Sequence, residues 1–194
     1  LAHVLDGTAG ALNPPGDAEW GPLLQRACPA VVGRRSNGSV YLARNQGSPR
    51  PFTLVMARRV CTRGGKPMCE GTGCAGTIGL ATGFVAGGWA ASLNARTYAL
   101  KGKPEGLAAA IDAAKKGAQV APIFVRQAMD AITLRAGGGG DQFAQSLEYY
   151  TKRLMIMPIY IIVAGTQAGE GGIITRNATA AGTCAGPLAP LLTM

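Results

Sequence analysis

The sequence predicts an α+β domain with strands and helices in separate layers. Three observations carry this expectation. From Cys28 to about Arg96, short apolar runs alternate with Asn-Gly and Gly-Gly breaks, a β pattern. From Pro104 to Lys152 the apolar residues recur at helical spacing, and from Ile159 to Arg176 a strand pattern returns. Strands, then helices, then strands is the order of an α+β domain. A chain of 194 residues suffices for one domain with a real core. The domain is expected over residues 28–177, between a weakly structured segment 1–27 and an irregular tail 178–194.

Each element has a local reason. Asn13-Pro14-Pro15-Gly16 reads as a loop, and Asp17 to Ala27 as a short helix with Asp17 as cap. Ala30–Gly33 and Ser39–Arg44 flank Ser36-Asn37-Gly38, a hairpin signal because Asn and Gly both tolerate positive φ. Phe52–Val60 reads as the next strand, Gly64-Gly65-Lys66-Pro67 as a turn, and Gly76–Thr82 and Trp89–Arg96 as two further strands. Pro104 suits the first position of an alanine-rich helix ending near Gly117. Ile123, Met129 and Ile132 mark a second helix over Val120 to Leu134, and Asp141 caps a third that runs to Lys152. Ile159–Ala164 and Gly171–Arg176 form a second hairpin, and the tail from Asn177 shows no clear element.

Composition narrows the function. The net charge of +9 comes from 19 basic and 10 acidic residues, with the basic ones scattered in pairs such as Arg34-Arg35 and Lys152-Arg153. Aromatics are only 6%, and no nucleic-acid motif accompanies the charge, so a solvated surface explains it better than nucleic-acid binding. Cys61, Cys69 and Cys74 cluster without the C-x-x-C spacing of a zinc site, so no metal is expected. Buried thiols or a disulfide within the cluster remain open. No apolar run reaches the roughly 18 residues that span a bilayer, and no signal peptide is visible. Gly169-Glu170-Gly171 lacks the phosphate-loop pattern and reads as a hairpin turn. The sequon at Asn37 is better explained by its turn, and His3 is the sole histidine.

Three segments together resemble the acid ceramidase and N-acylethanolamine acid amidase family of N-terminal nucleophile hydrolases. The first is Cys28 through Asn45, similar to the family's cysteine, hairpin and Gly-Arg-Asn. The second joins Gly76-Thr77-Ile78-Gly79…Thr82-Gly83 to Ser92-Leu93-Asn94-Ala95-Arg96. The third is Ala164-Gly165-Thr166…Glu170-Gly171…Ile174-Thr175-Arg176-Asn177. The resemblance covers roughly residues 20 to 180. It implies a four-layer αββα sandwich, truncated at its ends in this chain.

The resemblance also implies a chemistry. Cleavage of the Ala27–Cys28 bond frees an α-amine that serves as base for the Cys28 thiol. An α-amine titrates near ~8 and a thiol near ~8.5, so proton exchange between them is almost balanced at neutral pH. Cys28 is then the nucleophile, Arg44 organises it and the substrate carbonyl, and Asn94 binds substrate. The expected substrate is a fatty acyl amide of ceramide or N-acylethanolamine type. No cofactor is needed, and a lysosome-like compartment is implied.

The sequence departs from the family at several points. Gly47 and Ala95 stand where the family has carboxylates, and Pro29 replaces a small hydroxyl residue after the nucleophile. The family's Thr-Asn-Tyr-Asp segment does not occur in the chain. These departures support an alternative expectation, a catalytically inactive structural or accessory subunit. In that reading protein partners cover the exposed strand edges of a shortened sandwich.

Overall fold

The structure is a computed structural model that describes residues 30–44, 54–95, 111–118, 121–136, 141–156, 159–176 and 183–185. Strands β1 (Ala30–Arg34) and β2 (Val40–Arg44) form an antiparallel hairpin. A seven-stranded antiparallel meander follows in chain order. It runs through β3 (Met56–Arg63), β4 (Lys66–Cys74), β5 (Thr82–Phe84), β6 (Ala90–Ala95), β7 (Ile159–Ala164), β8 (Gly171–Arg176) and β9 (Thr183–Ala185). Between β6 and β7 lie helices α1 (Ala121–Ala136) and α2 (Gln142–Lys152), preceded by a helical segment at 111–115.

The meander separates two apolar layers because side chains alternate along each strand. On one face Cys61, Cys69, Leu93, Ile161, Val163 and Ile174 pack beneath α1 and α2. Phe124, Tyr150 and Trp89 meet edge-to-face in this layer, with Tyr150 centroids 5.1 Å from Phe124 and 5.9 Å from Trp89. On the opposite face Ile162 and Ala164 pack against Ala30 and Val32 of the hairpin. Helices, sheet and hairpin therefore stack in that order, in agreement with an α+β sandwich that lacks its full set of layers among the described residues.

Several expectations hold at residue level. Asp141 caps α2, its carboxylate accepting from the Ala144 amide at 2.8 Å. Asn37 shapes its turn by accepting from the Ser39 amide at 3.1 Å and the Ser39 hydroxyl at 2.7 Å. In that turn Gly38 has a φ of 89°, and no non-glycine residue among those described has a positive φ. The Arg35 amide donates to Ser39 O and the Gly38 amide to Arg35 O, both at 2.9 Å, so the turn is wider than a two-residue loop.

Other expectations are corrected. The strand expected over Phe52–Val60 starts at Met56 and runs to Arg63, because it pairs along its length with β4. Lys66 and Pro67, read as turn residues, open β4, a strand whose glycines concealed it. Gly76–Thr82 is a loop rather than a strand, and only its last residue joins β5. The reason is Gly79, at φ 95°, which carries no Cβ because one would lie 2.2 Å from Pro122 O. Leu80 donates to that same carbonyl at 2.8 Å, so the loop docks on the start of α1. Arg59 fixes it from below, donating to Thr77 O at 2.6 Å and Gly79 O at 2.9 Å. The tail also contains an element, β9, which pairs with β8. The segment 1–27, its helix from Asp17 and the expected helix start at Pro104 lie outside the described residues.

Candidate active site

The site grows from the alternation of β2. Val40, Leu42 and Arg44 project to one side of the strand. The hairpin lies over β6 and β7, so this side faces the sheet. At the end of β2, Arg44 donates from Nη1 to Ala81 O and to Thr82 Oγ1, each at 3.0 Å. A guanidinium held by two fixed acceptors keeps its remaining donors aimed in a set direction. Ala30 is the register partner of Arg44, so the two ends of the hairpin meet here. Cys28, two residues before Ala30, lies outside the described residues, as does the Ala27–Cys28 bond.

A row of hydroxyls leads under the hairpin. Thr72 pairs with Thr82, and Thr82 pairs with Ser92 across neighbouring strands. The row passes from exposed Thr72 to fully buried Ser92. Ser92 Oγ has no hydrogen-bond partner among the described residues. Asn94, two positions further on the same face of β6, is also buried, with Tyr160 as its register partner. Polar side chains that deep in an apolar layer are unusual. The structure thus brings Arg44 to Thr82 and places Asn94 on the same side of the sheet.

Beside this row opens a cavity of about 560 Å³. Val40 and Leu42 form its hairpin wall, and Thr82, Phe84 and the loop from Val85 to Trp89 form its floor. One side is polar, where Arg58 pairs with Glu70, Nε to Oε2 at 2.9 Å. The walls are otherwise largely apolar, which suits a hydrocarbon chain next to a polar centre.

Two charged residues of the third motif are structural in this fold. Glu170 accepts from the amides of Thr166 and Gln167, each at 2.7 Å, and so closes the β7–β8 turn as expected. Arg176 is fully buried and donates to Thr151 O and Arg153 O at the end of α2. There its charge meets the negative end of the helix and its orphan carbonyls. Burial pulls its pKa below the ordinary arginine value.

Thr82 and Ser92 fall within the second motif, but the sequence assigns neither a site role. Both are small hydroxyl residues whose significance comes from cross-strand register, which no local pattern discloses. Among the described residues no three side chains of His, Cys, Asp or Glu gather as a metal site.

Comparison with known proteins bears on this arrangement. The chain is 31% identical over 146 residues to acid ceramidase of Rattus norvegicus, covering 75% of this chain and 33% of that protein. It is 30% identical over 115 residues to acid ceramidase of Bos taurus, covering 59% and 27%. The structure of the Caenorhabditis elegans N-acylethanolamine-hydrolyzing acid amidase ortholog superposes with a TM-score of 0.65 at 22% identity, covering 84% of this chain and 64% of that one. This chain is a divergent member of the acid ceramidase and N-acylethanolamine acid amidase family. Its fold is accordingly the N-terminal nucleophile hydrolase sandwich. No family model matches the chain. The matched part of the chain spans 27–33% of the length of these acid ceramidases.

The hairpin from Ala30 to Arg44 thus carries an arginine that is hydrogen-bonded to Thr82 of the second motif.

Proposed function

We propose that the chain is a cysteine N-terminal nucleophile amidase that hydrolyses fatty acyl amides. The observation that carries this reading is the anchorage of Arg44 on Thr82 beside a largely apolar cavity. The names of the relatives, acid ceramidase and an N-acylethanolamine-hydrolyzing amidase, support an amide bond to a fatty acyl group as the target.

In this reading cleavage before Cys28 releases its α-amine, which takes the thiol proton. The thiolate attacks the amide carbonyl, and the tetrahedral oxyanion needs positive charge or N–H donors nearby. Arg44 supplies charge and orientation, and Asn94 binds the substrate. Collapse expels the amine, which leaves with the proton, and water hydrolyses the thioester. The acyl chain lies along Val40, Leu42 and Phe84, where apolar burial contributes about 0.8 kcal/mol per methylene. Gly47 and Ala95 supply no carboxylate, so the two acceptors on β5 and its preceding loop take over the task of fixing Arg44.

The absent carboxylates also favour a second reading, a non-catalytic structural or accessory subunit with the same fold. Purified full chain assayed on a fluorogenic fatty acyl amide, at acidic and neutral pH, separates the two. The amidase reading expects turnover that Cys28→Ala abolishes. A chain inert at both pH values, with its Ala27–Cys28 bond intact, would leave the accessory reading.

A further inference from the structure

We infer that Cys61 and Cys69 are a cross-strand disulfide site that staples β3 to β4. The two residues are direct register partners. Antiparallel partners lie about 4.5–5.5 Å apart at Cα, inside the span a disulfide bridges. As register partners the two side chains leave the same face of the sheet side by side, within one cluster of the core. Both residues are buried on the helix side of the sheet, at 7% and 3% exposure, beneath α1.

The local backbone gives such a staple a purpose. Immediately beyond the pair the register slips, so that Thr62 faces Pro67 and Met68 is passed over. Pro67 has no N–H to give to the ladder. The hairpin tip from Thr62 to Pro67 is therefore held by fewer backbone bonds than the rest of the ribbon. A bond between Cys61 and Cys69 closes the ribbon at the point where the ladder weakens.

The third thiol of the sequence cluster cannot compete. Cys74 lies on the opposite face of β4 and contacts Met56, Sγ to Sδ at 3.3 Å. Five residues of strand, about 17 Å, separate it from Cys69. The cluster read from the sequence is thus a facing pair and an outlier.

The oxidation requires a small disulfide such as oxidised glutathione. One protein thiolate attacks a sulfur of the oxidant and expels the first glutathione thiolate, leaving a mixed disulfide. The other protein thiol then loses its proton and attacks the protein sulfur of that mixed disulfide, expelling the second. The protein gains one S–S bond, the oxidant loses one, and two electrons and two protons pass to two glutathione molecules. Burial and the neighbouring Cys61 push the Cys69 thiol up to about 12, so exchange proceeds as the ribbon forms or opens rather than in the closed fold.

The test refolds the full chain in a glutathione redox buffer, then alkylates it under denaturing conditions before digestion. Trypsin with a glutamyl endopeptidase cuts after Arg63 and Glu70 and puts Cys61, Cys69 and Cys74 in separate peptides. The expected product is a Cys61–Cys69 linked pair that vanishes on reduction and persists in Cys74→Ser. Cys61→Val and Cys69→Val, tested in parallel, should each lose the link and leave the other thiol open to alkylation. Full alkylation of both cysteines after oxidative refolding would overturn the inference, as would links from either only to Cys28, Cys74 or Cys184.

Discussion

Arg44 and Thr82 meet at 3.0 Å, Nη1 to Oγ1, and this bond ties the first hairpin to the middle of the seven-stranded sheet. Because Thr82 also lines the cavity, the same contact sets where the guanidinium sits relative to that cavity. Thr82→Val keeps the shape and removes the acceptor. A single hydrogen bond to a charged group is worth about 1.5–3 kcal/mol. Steady-state kinetics on an acyl amide should therefore show kcat/KM lowered roughly tenfold to a hundredfold. Unchanged kinetics would show that Arg44 is positioned without Thr82.

Leu42 faces the cavity two residues before Arg44. Leu42→Trp should fill part of the cavity, which the proposed function assigns to the acyl chain. The expected result is a KM raised by about tenfold for long-chain amides, with short-chain amides little affected, since each lost methylene contact removes about 0.8 kcal/mol. A uniform loss across chain lengths would place the chain elsewhere.

Gly79 is a stability test. Gly79→Ala places a Cβ 2.2 Å from Pro122 O on a backbone with φ 95°. Clash and strain together should lower unfolding free energy by about 2–4 kcal/mol. Urea unfolding followed by far-ultraviolet circular dichroism measures this directly.

Arg176 holds the end of α2 through Thr151 O and Arg153 O. Arg176→Met should leave both carbonyls without this donor and destabilise the fold by about 2–4 kcal/mol, read by the same unfolding assay. Arg176→Lys should recover only part, because an ammonium cannot span two carbonyls as a planar fork does.

The reduced protein should lose stability in alkali through Cys69. Its folded pKa, raised from 9.0 to about 12 by burial and by Cys61, with Asp130 adding to the rise and Arg126 opposing it, lies above the unfolded value. Between the two values the unfolded chain binds fewer protons, so stability is complete below about pH 9 and falls as pH rises toward 12. Unfolding of reduced wild type and Cys69→Val across this range should show a shallower decline in the variant.

The legible parts of this protein were those written in local chemistry. Asn37-Gly38, the Asp141 cap, the apolar run Ile159–Ala164 and the α1 periodicity each disclose their element. What stayed hidden depends on pairing. The strand from Lys66 to Cys74 begins at a Gly-Gly-Lys-Pro signal that reads as a turn, and its glycines carry no β propensity. Its strand character comes from neighbours on both sides. The segment from Gly76 reads as a strand in the sequence because its docking on Pro122, which makes it a loop, is a tertiary contact. At the site, Arg44, Thr82 and Ser92 all lie in the quoted motifs, but that Thr82 stands beside Ser92 follows only from the register of β5 and β6.

The central claim is that Cys28 becomes an N-terminal nucleophile. Its most direct test is intact mass with N-terminal sequencing of purified wild type and Cys28→Ala, each portion also assayed on a fluorogenic fatty acyl amide. The account predicts a new N-terminus at Cys28 together with activity in wild type, and neither in the variant. An active wild type with the Ala27–Cys28 bond uncut, or equal activity in Cys28→Ala, would contradict it.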